Sequence, residues 1–368
     1  MQNMKMLGSA RTLLALALVS ATLSPVVLAQ EEETGGEPQP AIQAELADES
    51  LLLDILSYDE KFIAVGSRGH VLLSEDGREW RQAQSVPLQA TLTRATSFGR
   101  RLWAVGHDSA IISSSDGGET WFIQHREAQV DPDDPMVQAP ILDVLFLNPN
   151  SGFAIGAYGR FMTTTDGGIN WETHRMTDRV VSESIDWAAV AREQGDIETI
   201  PDELLDDQSA EADVNKGCYE YGECHLNAIL DLGGGRLIIA AEAGYGFRSV
   251  DEGETWESFK FPYPGSMFGL VAQRGCLLAF GLRGHVQKSC DFGTSWNEVP
   301  TGIRQSLMGG DIDSDGTAVL VGSGATRIYI EPGGSIDTEA DQLGSDYAAV
   351  RVLNGSMILV GENGARYE

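Results

Sequence analysis

From residue 51 onward the chain alternates short apolar runs with polar turns. Residues 51–56 form one run, residues 61–66 a second that ends in glycine, and a tight Gly-rich turn leads to a third over 70–74. A polar turn then opens a fourth run led by Trp80. Runs this short, bounded by turn residues, predict strands and not helices. The unit then repeats: AVGSRGHVLLSEDGREW ends at Trp80, AVGHDSAIISSSDGGETW at Trp121, AIGAYGRFMTTTDGGINW at Trp171, AAEAGYGFRSVDEGETW at Trp256 and AFGLRGHVQKSCDFGTSW at Trp296. Two further copies lack the tryptophan, LVGSGATRIYIEPGG from Leu320 and LVGENGARYE from Leu359. Gly66, Gly106, Gly156, Gly281, Gly322 and Gly361 mark equivalent points, with Ala241 in the fourth copy.

A spacing of roughly 40 residues means stacked supersecondary units, and four strands per unit describe a propeller blade. The fold expected is all-β, a seven-bladed β-propeller. Its last copy stops at Glu368 after a third strand, while residues 41–47 precede the first strand unassigned. This N-terminal stretch is expected to supply the outer strand of the last blade and so close the ring, removing an exposed edge.

Each third strand is followed by S/T-x-D-x-G-x-T/S-W, centred on Asp116, Asp166, Asp251 and Asp291, with Asn170 in the hydroxyl position of the third blade and a copy one residue shorter at Asp76. Each aspartate can accept hydrogen bonds from the amides of its own turn, glycine supplies a positive φ, and tryptophan covers the turn with apolar area. A catalytic acid is needed once or twice, so an aspartate in every complete copy points to a structural role. The motif resembles the Asp box of BNR-type propellers. The whole repeat, over residues 45 to 368, resembles the photosystem II stability and assembly factor family. That resemblance implies a seven-bladed, lumenal or periplasmic, non-enzymatic scaffold that binds a membrane-protein partner during its biogenesis. Related copies occur in non-photosynthetic bacteria, some beside RND-type exporters. Photosynthetic members carry a basic patch; here 25 Lys and Arg face 55 Asp and Glu, a formal charge of -30. Such a charge makes nucleic acid and anionic membrane surfaces poor partners.

Lys5 and Arg11 precede an apolar stretch over 13–19, and Ala29 suits signal peptidase, so residues 1–29 read as a secretory signal peptide. Residues 30–40 then form a flexible linker and 41–368 the propeller, in a periplasmic or secreted monomer whose mature chain does not insert into membranes. An insertion at about 176–224 interrupts the repeat. A short amphipathic helix is expected over 180–192, and residues 193–213 hold nine acids and no base. The segment is either a solvated loop or a lid or docking arm over one face. Four cysteines in an exported chain favour disulfides. Cys276 and Cys290 lie at equal distances from Arg283 at the centre of a hairpin turn, so they should face each other across two strands, where blade 1 has Lys61 and Glu75. Cys218 and Cys224 would close a small loop.

Turns between second and third strands and the connections between blades share one face of a propeller. Arg68, His70, His107, Tyr158, Arg160, Tyr245, Arg283, His285, Arg327 and Arg366 fall in or beside those turns. Arginine and tyrosine are favoured interface anchors, so this rim is the candidate partner-binding site; the alternative is a set of solvated turn residues. Residues 311–316 begin like a calcium loop, but Gly322 stands where a bidentate Glu is required, so an ordinary turn is expected. No nucleophile elbow, P-loop, zinc motif or dinucleotide fingerprint occurs. The sequence thus reads as a non-catalytic scaffold without metal or cofactor, binding a membrane-protein complex or an RND-type transporter. The competing readings are a glycan-binding module and an Asp-box glycoside hydrolase with paired carboxylates near the ring axis.

Overall fold

The computed structural model describes residues 38–127, 139–180, 224–341, 344–353 and 355–368. Within the compact unit formed by residues 35–368, seven antiparallel sheets follow one another along the chain, six of four strands and the last of three. Blade 1 sets the pattern with strands Leu52–Tyr58, Lys61–Gly66, Val71–Ser74 and Arg81–Gln82, ordered as in sequence from the axis outward. The seven innermost strands, Leu52–Tyr58, Leu92–Phe98, Ile141–Phe146, Leu226–Asp231, Met267–Gln273, Leu307–Ile312 and Tyr347–Leu353, touch in succession, and the seventh returns to the first. The chain is a seven-bladed β-propeller.

Burial explains why the second strands are the most apolar. In blade 2 the strand Arg101–Gly106 is buried from its second residue on, and in blade 4 all of Leu237–Ala241 is buried. Neighbouring blades sandwich these strands on both faces, so alternation is lost. The recurring glycine that ends the second strand has a spatial cause. A Cβ on Gly66, Gly106, Gly156, Gly281, Gly322 or Gly361 would lie between 1.9 and 2.3 Å from the carbonyl oxygen just ahead of the same blade's first strand. At the residue after each glycine, the amide donates to that same carbonyl, as Ser67 does to Leu51 and His107 to Thr91, both at 2.9 Å. Hairpin and blade entry are therefore locked together by a close backbone approach that a side chain would block.

Every first strand carries a register shift near its start, for example between Leu52 and Asp54 and between Leu92 and Arg94. An extra residue on one strand bends it and re-aims the following side chain. The ring's axial lining depends on this device.

The N-terminal stretch corrects the sequence expectation. Residues 41–46 form no strand, and the last blade keeps three. Instead the Ala41 amide donates to Val86 at 2.9 Å and the Gln82 side chain donates to Ile42, so the stretch lies along blade 1. One turn of 3₁₀ helix, Ala47–Glu49, then packs on the last strand, Gly364–Tyr367. The ring is closed by the contact of first and last inner strands and not by a shared sheet. Partners on blade 1 take up the stretch instead, the Gln43 side chain donating to Ala83 and the Ala44 amide to the Gln82 side chain, while Pro38 and Pro40 have no amide to give to an edge strand. The expected signal peptide, the linker up to residue 37, Cys218 and residues 181–223 of the insertion lie outside the described residues. So does the helix expected there, apart from Val180, which bridges Trp256.

Candidate functional site

The second-to-third-strand turns take two consecutive left-handed residues, at Arg68 and Gly69, Tyr158 and Gly159, and Arg283 and Gly284, with φ between 55° and 75°. Two such residues make the hairpin turn whose twist matches the strands. The second must be glycine for space as well, since a Cβ on Gly69 would meet the Leu88 oxygen at 2.0 Å. These turns dock on the next connection: the Gly69 amide donates to Ala90, and that of Gly159 to Cys224. The residue at the first left-handed position is thus presented at the rim on a fixed base.

The ten rim residues do not form one exposed set. Arg68, His107, Arg283 and Arg366 are exposed, and Tyr158, His285 and Arg327 are half-buried. His70, Arg160 and Tyr245 are buried, which corrects the expectation of a shared open surface. Arg160 is 1% exposed, and its guanidinium donates to both Glu127 carboxylate oxygens at 2.8 and 3.0 Å. Tyr158 lies in the turn itself, whereas Arg160 is the first residue of the third strand, Arg160–Thr164, and its side chain is taken up by Glu127 from the preceding connection. His70 Nδ1 lies 2.8 Å from the Ser50 hydroxyl, and burial, then the Arg68 charge, lower its pKa. Arg327 reaches Glu339, Glu368 and the Tyr347 hydroxyl. His285 stacks on Tyr263 at 3.6 Å and meets Glu298 at 2.9 Å.

For Arg68, Arg283 and Arg366 the described residues supply no side-chain acid. Arg304 joins them; sequence reasoning passed over it because it lies in a connection and not in a turn of the repeat. It is exposed, and with Arg283, His285 and Ile303 it lines a rim pocket of about 610 Å³.

On the opposite face the five aspartates sit in near-identical turns. In blade 4 the Ser249 hydroxyl donates to Asp251 at 2.7 Å and accepts from the Gly253 amide at 2.9 Å; Thr255 donates to Asp251 through both amide and hydroxyl, and Trp256 Nε1 donates to Gly253. Blades 2, 3 and 5 repeat the carboxylate bonds around Asp116, Asp166 and Asp291, Asn170 replacing the hydroxyl donor, and the tryptophan bond recurs in blade 2 but not at Trp171 or Trp296. Blade 1, one residue shorter, has only amide donors from Arg78 and Glu79 besides Ser74. Hydrogen bonds to the charged form hold all five carboxyls below their ordinary value, at Asp291 to about 2, with the Ser295 hydroxyl as the largest cause. Carboxylates engaged in this way hold their turns.

The axis holds a constellation that sequence reasoning missed. At the position re-aimed by the strand shift, blades 1 to 3 carry Asp54, Arg94 and Asp143, while blades 4 to 7 carry Ala228, Gly269, Gly309 and Ala349. Arg94 lies 3.2 Å from Asp54 and 3.3 Å from Asp143. Asp54 also accepts from the Ala95 amide, and Asp143 from the amides of Val144 and Ile229. Burial pushes the Asp143 carboxyl up, against the pull of Arg94 and the two amides. Asp311, at the start of the segment read as an ordinary turn, holds Arg351 and the Val352 amide across to blade 7. The axial cavity of about 370 Å³ is therefore lined by carboxylates that clasp the next blade. A charged residue at the one place where other copies have Ala or Gly was the available signal. Among the described residues no three His, Cys, Asp or Glu group as metal ligands.

Cys276 and Cys290 are joined, with Cα atoms 4.1 Å apart, and the corresponding Lys61 and Glu75 lie 3.8 Å apart. Cys224 is also disulfide-bonded.

No family model matches the chain. A stretch of 68 residues is 38% identical to the photosystem II assembly lipoprotein Ycf48 of Picosynechococcus sp., covering 18% of this chain and 18% of that protein. A solved structure of Ycf48 bound to a D1 peptide covers 90% of this chain and 94% of its own, at 15% identity and a TM-score of 0.58. The chain is similar to Ycf48. The structure of Ycf48 from Cyanidioschyzon merolae agrees, at 18% identity over 89% of this chain and 97% of its own, with a TM-score of 0.59. The WD40 propeller domain of Doa1 superposes equally well, at 12% identity, 90% and 96% coverage and a TM-score of 0.59. Overall likeness at this level describes the propeller, and the likeness to Ycf48 in sequence spans about a fifth of each chain.

Proposed function

We propose that this chain is an exported, non-catalytic scaffold whose rim holds a carboxylate-rich segment of a membrane-protein partner. The observation that carries this reading is the set of exposed guanidiniums, Arg68, Arg283, Arg304 and Arg366, without acid partners among the described residues of a chain with a net charge of -30. Elsewhere many arginines pair with acids, as at Arg81, Arg94, Arg160, Arg248 and Arg351, while Arg78, Arg101 and Arg236 lie over aromatic rings and Arg274 donates to the Asp315 carbonyl. Unpaired arginine on a rigid turn is suited to bidentate contact with a carboxylate. The peptide held by Ycf48 in its solved complex supports a peptide-binding role here by analogy. A transporter complex is the narrower form of the same proposal. The axial carboxylates do not favour a glycoside hydrolase, because each is committed to a backbone amide and a guanidinium of a neighbouring blade.

The test is crosslinking of the mature protein in native membranes beside a variant carrying Arg68→Glu, Arg283→Glu and Arg304→Glu. Arg160 is left intact because it is buried. Capture of one membrane protein by the wild type and its loss in the folded variant is the expected result. Equal capture by both would remove the rim from the proposal, and turnover of a glycan would remove the scaffold reading itself.

A further inference from the structure

The Cys276–Cys290 bond sits on the Asp-turn face of blade 5, away from the rim. It lies one step beyond the last paired rung, Leu277 with Ser289, so the ladder already holds the two strands together. Among the seven blades, only this one has cysteines at that corner; blade 1 manages with an ion pair between Lys61 and Glu75. The bond is therefore an addition to a corner that the repeat builds without it.

Its surroundings differ from those of a buried structural disulfide. Cys290 is exposed and Cys276 half-buried. Cys290 lines a groove of about 460 Å³ between blades 5 and 6, with Val299, Ile330 and Ile336 as an apolar floor and Lys288 beside the sulfur-bearing residue. The neighbouring Asp291 carboxylate is occupied by the Ser289 and Ser295 hydroxyls. The groove also carries the acids Asp291 and Glu298, and Lys288 is its one cation, the group that favours a thiolate beside Cys290.

We propose that this disulfide is a thiol-exchange site and that the groove seats an extended segment of a dithiol protein of the thiol–disulfide oxidoreductase class. The partner's thiolate attacks the exposed Cys290 sulfur, a mixed disulfide forms, and the electron pair leaves on Cys276, which takes a proton from water. The partner's second thiol, deprotonated, then attacks its own sulfur in the mixed disulfide and releases Cys290 as a thiolate. The partner ends as a disulfide, and Cys276 and Cys290 end as thiols, reduced by two electrons. An apolar floor beside an accessible sulfur suits a protein loop better than a small thiol, which gains nothing from it. The consequence is local: reduction frees the corner next to the Asp291 turn while the hairpin ladder stays paired.

The experiment incubates the folded full-length chain with reduced thioredoxin as the dithiol probe, or with dithiothreitol at equal thiol concentration. Alkylation and peptide mass mapping separate Cys276 and Cys290 from Cys218 and Cys224. Thioredoxin should open the bond about tenfold faster per thiol than dithiothreitol. Ile336→Arg and, separately, Lys288→Glu should slow thioredoxin several-fold and leave dithiothreitol little changed. In Cys276→Ser, the free Cys290 should form a stable mixed disulfide with a thioredoxin that lacks its resolving cysteine and carries thionitrobenzoate on the other, releasing thionitrobenzoate, and Ile336→Arg should reduce its yield. The proposal is overturned if the bond opens only in denaturant, or if the two reductants act alike and neither groove variant discriminates between them.

Discussion

The two faces of this propeller are built from turns of the same repeat, yet they have different regularity. On the Asp-turn face, five blades repeat the same bond from hydroxyl to carboxylate and from turn amide to hydroxyl, so the aspartates are held within their own turns. On the rim, paired left-handed residues recur in blades 1 to 6 and the docking hydrogen bond at Gly69, Gly159 and Ala325, but the side chains vary from Arg68 to Tyr158 to Ala243. Where the chain repeats a side-chain network, the network holds the blade. Where it repeats only the backbone, the side chain is available for something else. Environment divides the rim again: Arg160 belongs energetically with the Asp turns, and Arg283 does not.

The sharpest way to break this comparison is to remove one arginine of each kind. Arg160→Ala should cost about 3 kcal/mol or more, since it leaves the Glu127 carboxylate without the buried partner that neutralises it. Urea unfolding followed by tryptophan fluorescence would measure it. A cost near zero would mean that Arg160 belongs with the free rim residues after all. Next in size is Gly106→Ala. Its new methyl would meet the Thr91 oxygen at 2.1 Å and the Leu92 Cα at 2.8 Å, so about 1–3 kcal/mol of overpacking is expected in the same assay. The reverse change in the fourth blade, Ala241→Gly, should cost less.

These sites also show how far the sequence could be read. The glycine, aspartate and tryptophan positions were legible because their partners lie within a few residues, and a local geometry that recurs leaves a recurring spelling. The register that brings Cys276 to Cys290 was legible for the same reason. Arg160 could not be placed, because Glu127 comes from the previous blade's connection and carries no repeat position of its own. Asp54, Arg94 and Asp143 belong to three blades and are joined only by ring closure. The path of residues 41–46 was equally hidden: an unfilled edge suggests a strand, whereas the carbonyls and side chains of blade 1 decide where the stretch goes.

The Asp-turn face should respond to loss of a single hydroxyl by a smaller step. Ser249→Ala removes the acceptor of the buried Gly253 amide and one donor to Asp251, for an expected loss of about 1–2 kcal/mol. Acid probes the same network without mutation. These carboxyls are held below their ordinary value in the folded state, so their contribution is complete above about pH 4. It is lost as pH falls through the folded values, near 2 for Asp291. Stability should therefore fall between about pH 4 and pH 2, and Asp291→Asn should flatten part of that fall. An unchanged acid profile in Asp291→Asn would mean that its turn contributes nothing through charge.

The smallest expected effect is the one that separates the faces most cleanly. Arg283→Glu with Arg304→Glu changes two exposed side chains whose guanidiniums have no acid partner among the described residues, so thermal or urea stability should move by no more than about 0.5 kcal/mol per site. The charge at the mouth of the rim pocket nevertheless changes from positive to negative, and a carboxylate-bearing ligand then meets repulsion where it met two donors. Binding of an acidic peptide, followed by fluorescence anisotropy, should weaken in the variant and weaken with added salt in the wild type. If stability falls by as much as in Arg160→Ala, these arginines are structural, and the rim is a second scaffold face. If stability holds and binding is lost, the variability of the rim marks the part of the repeat released from folding.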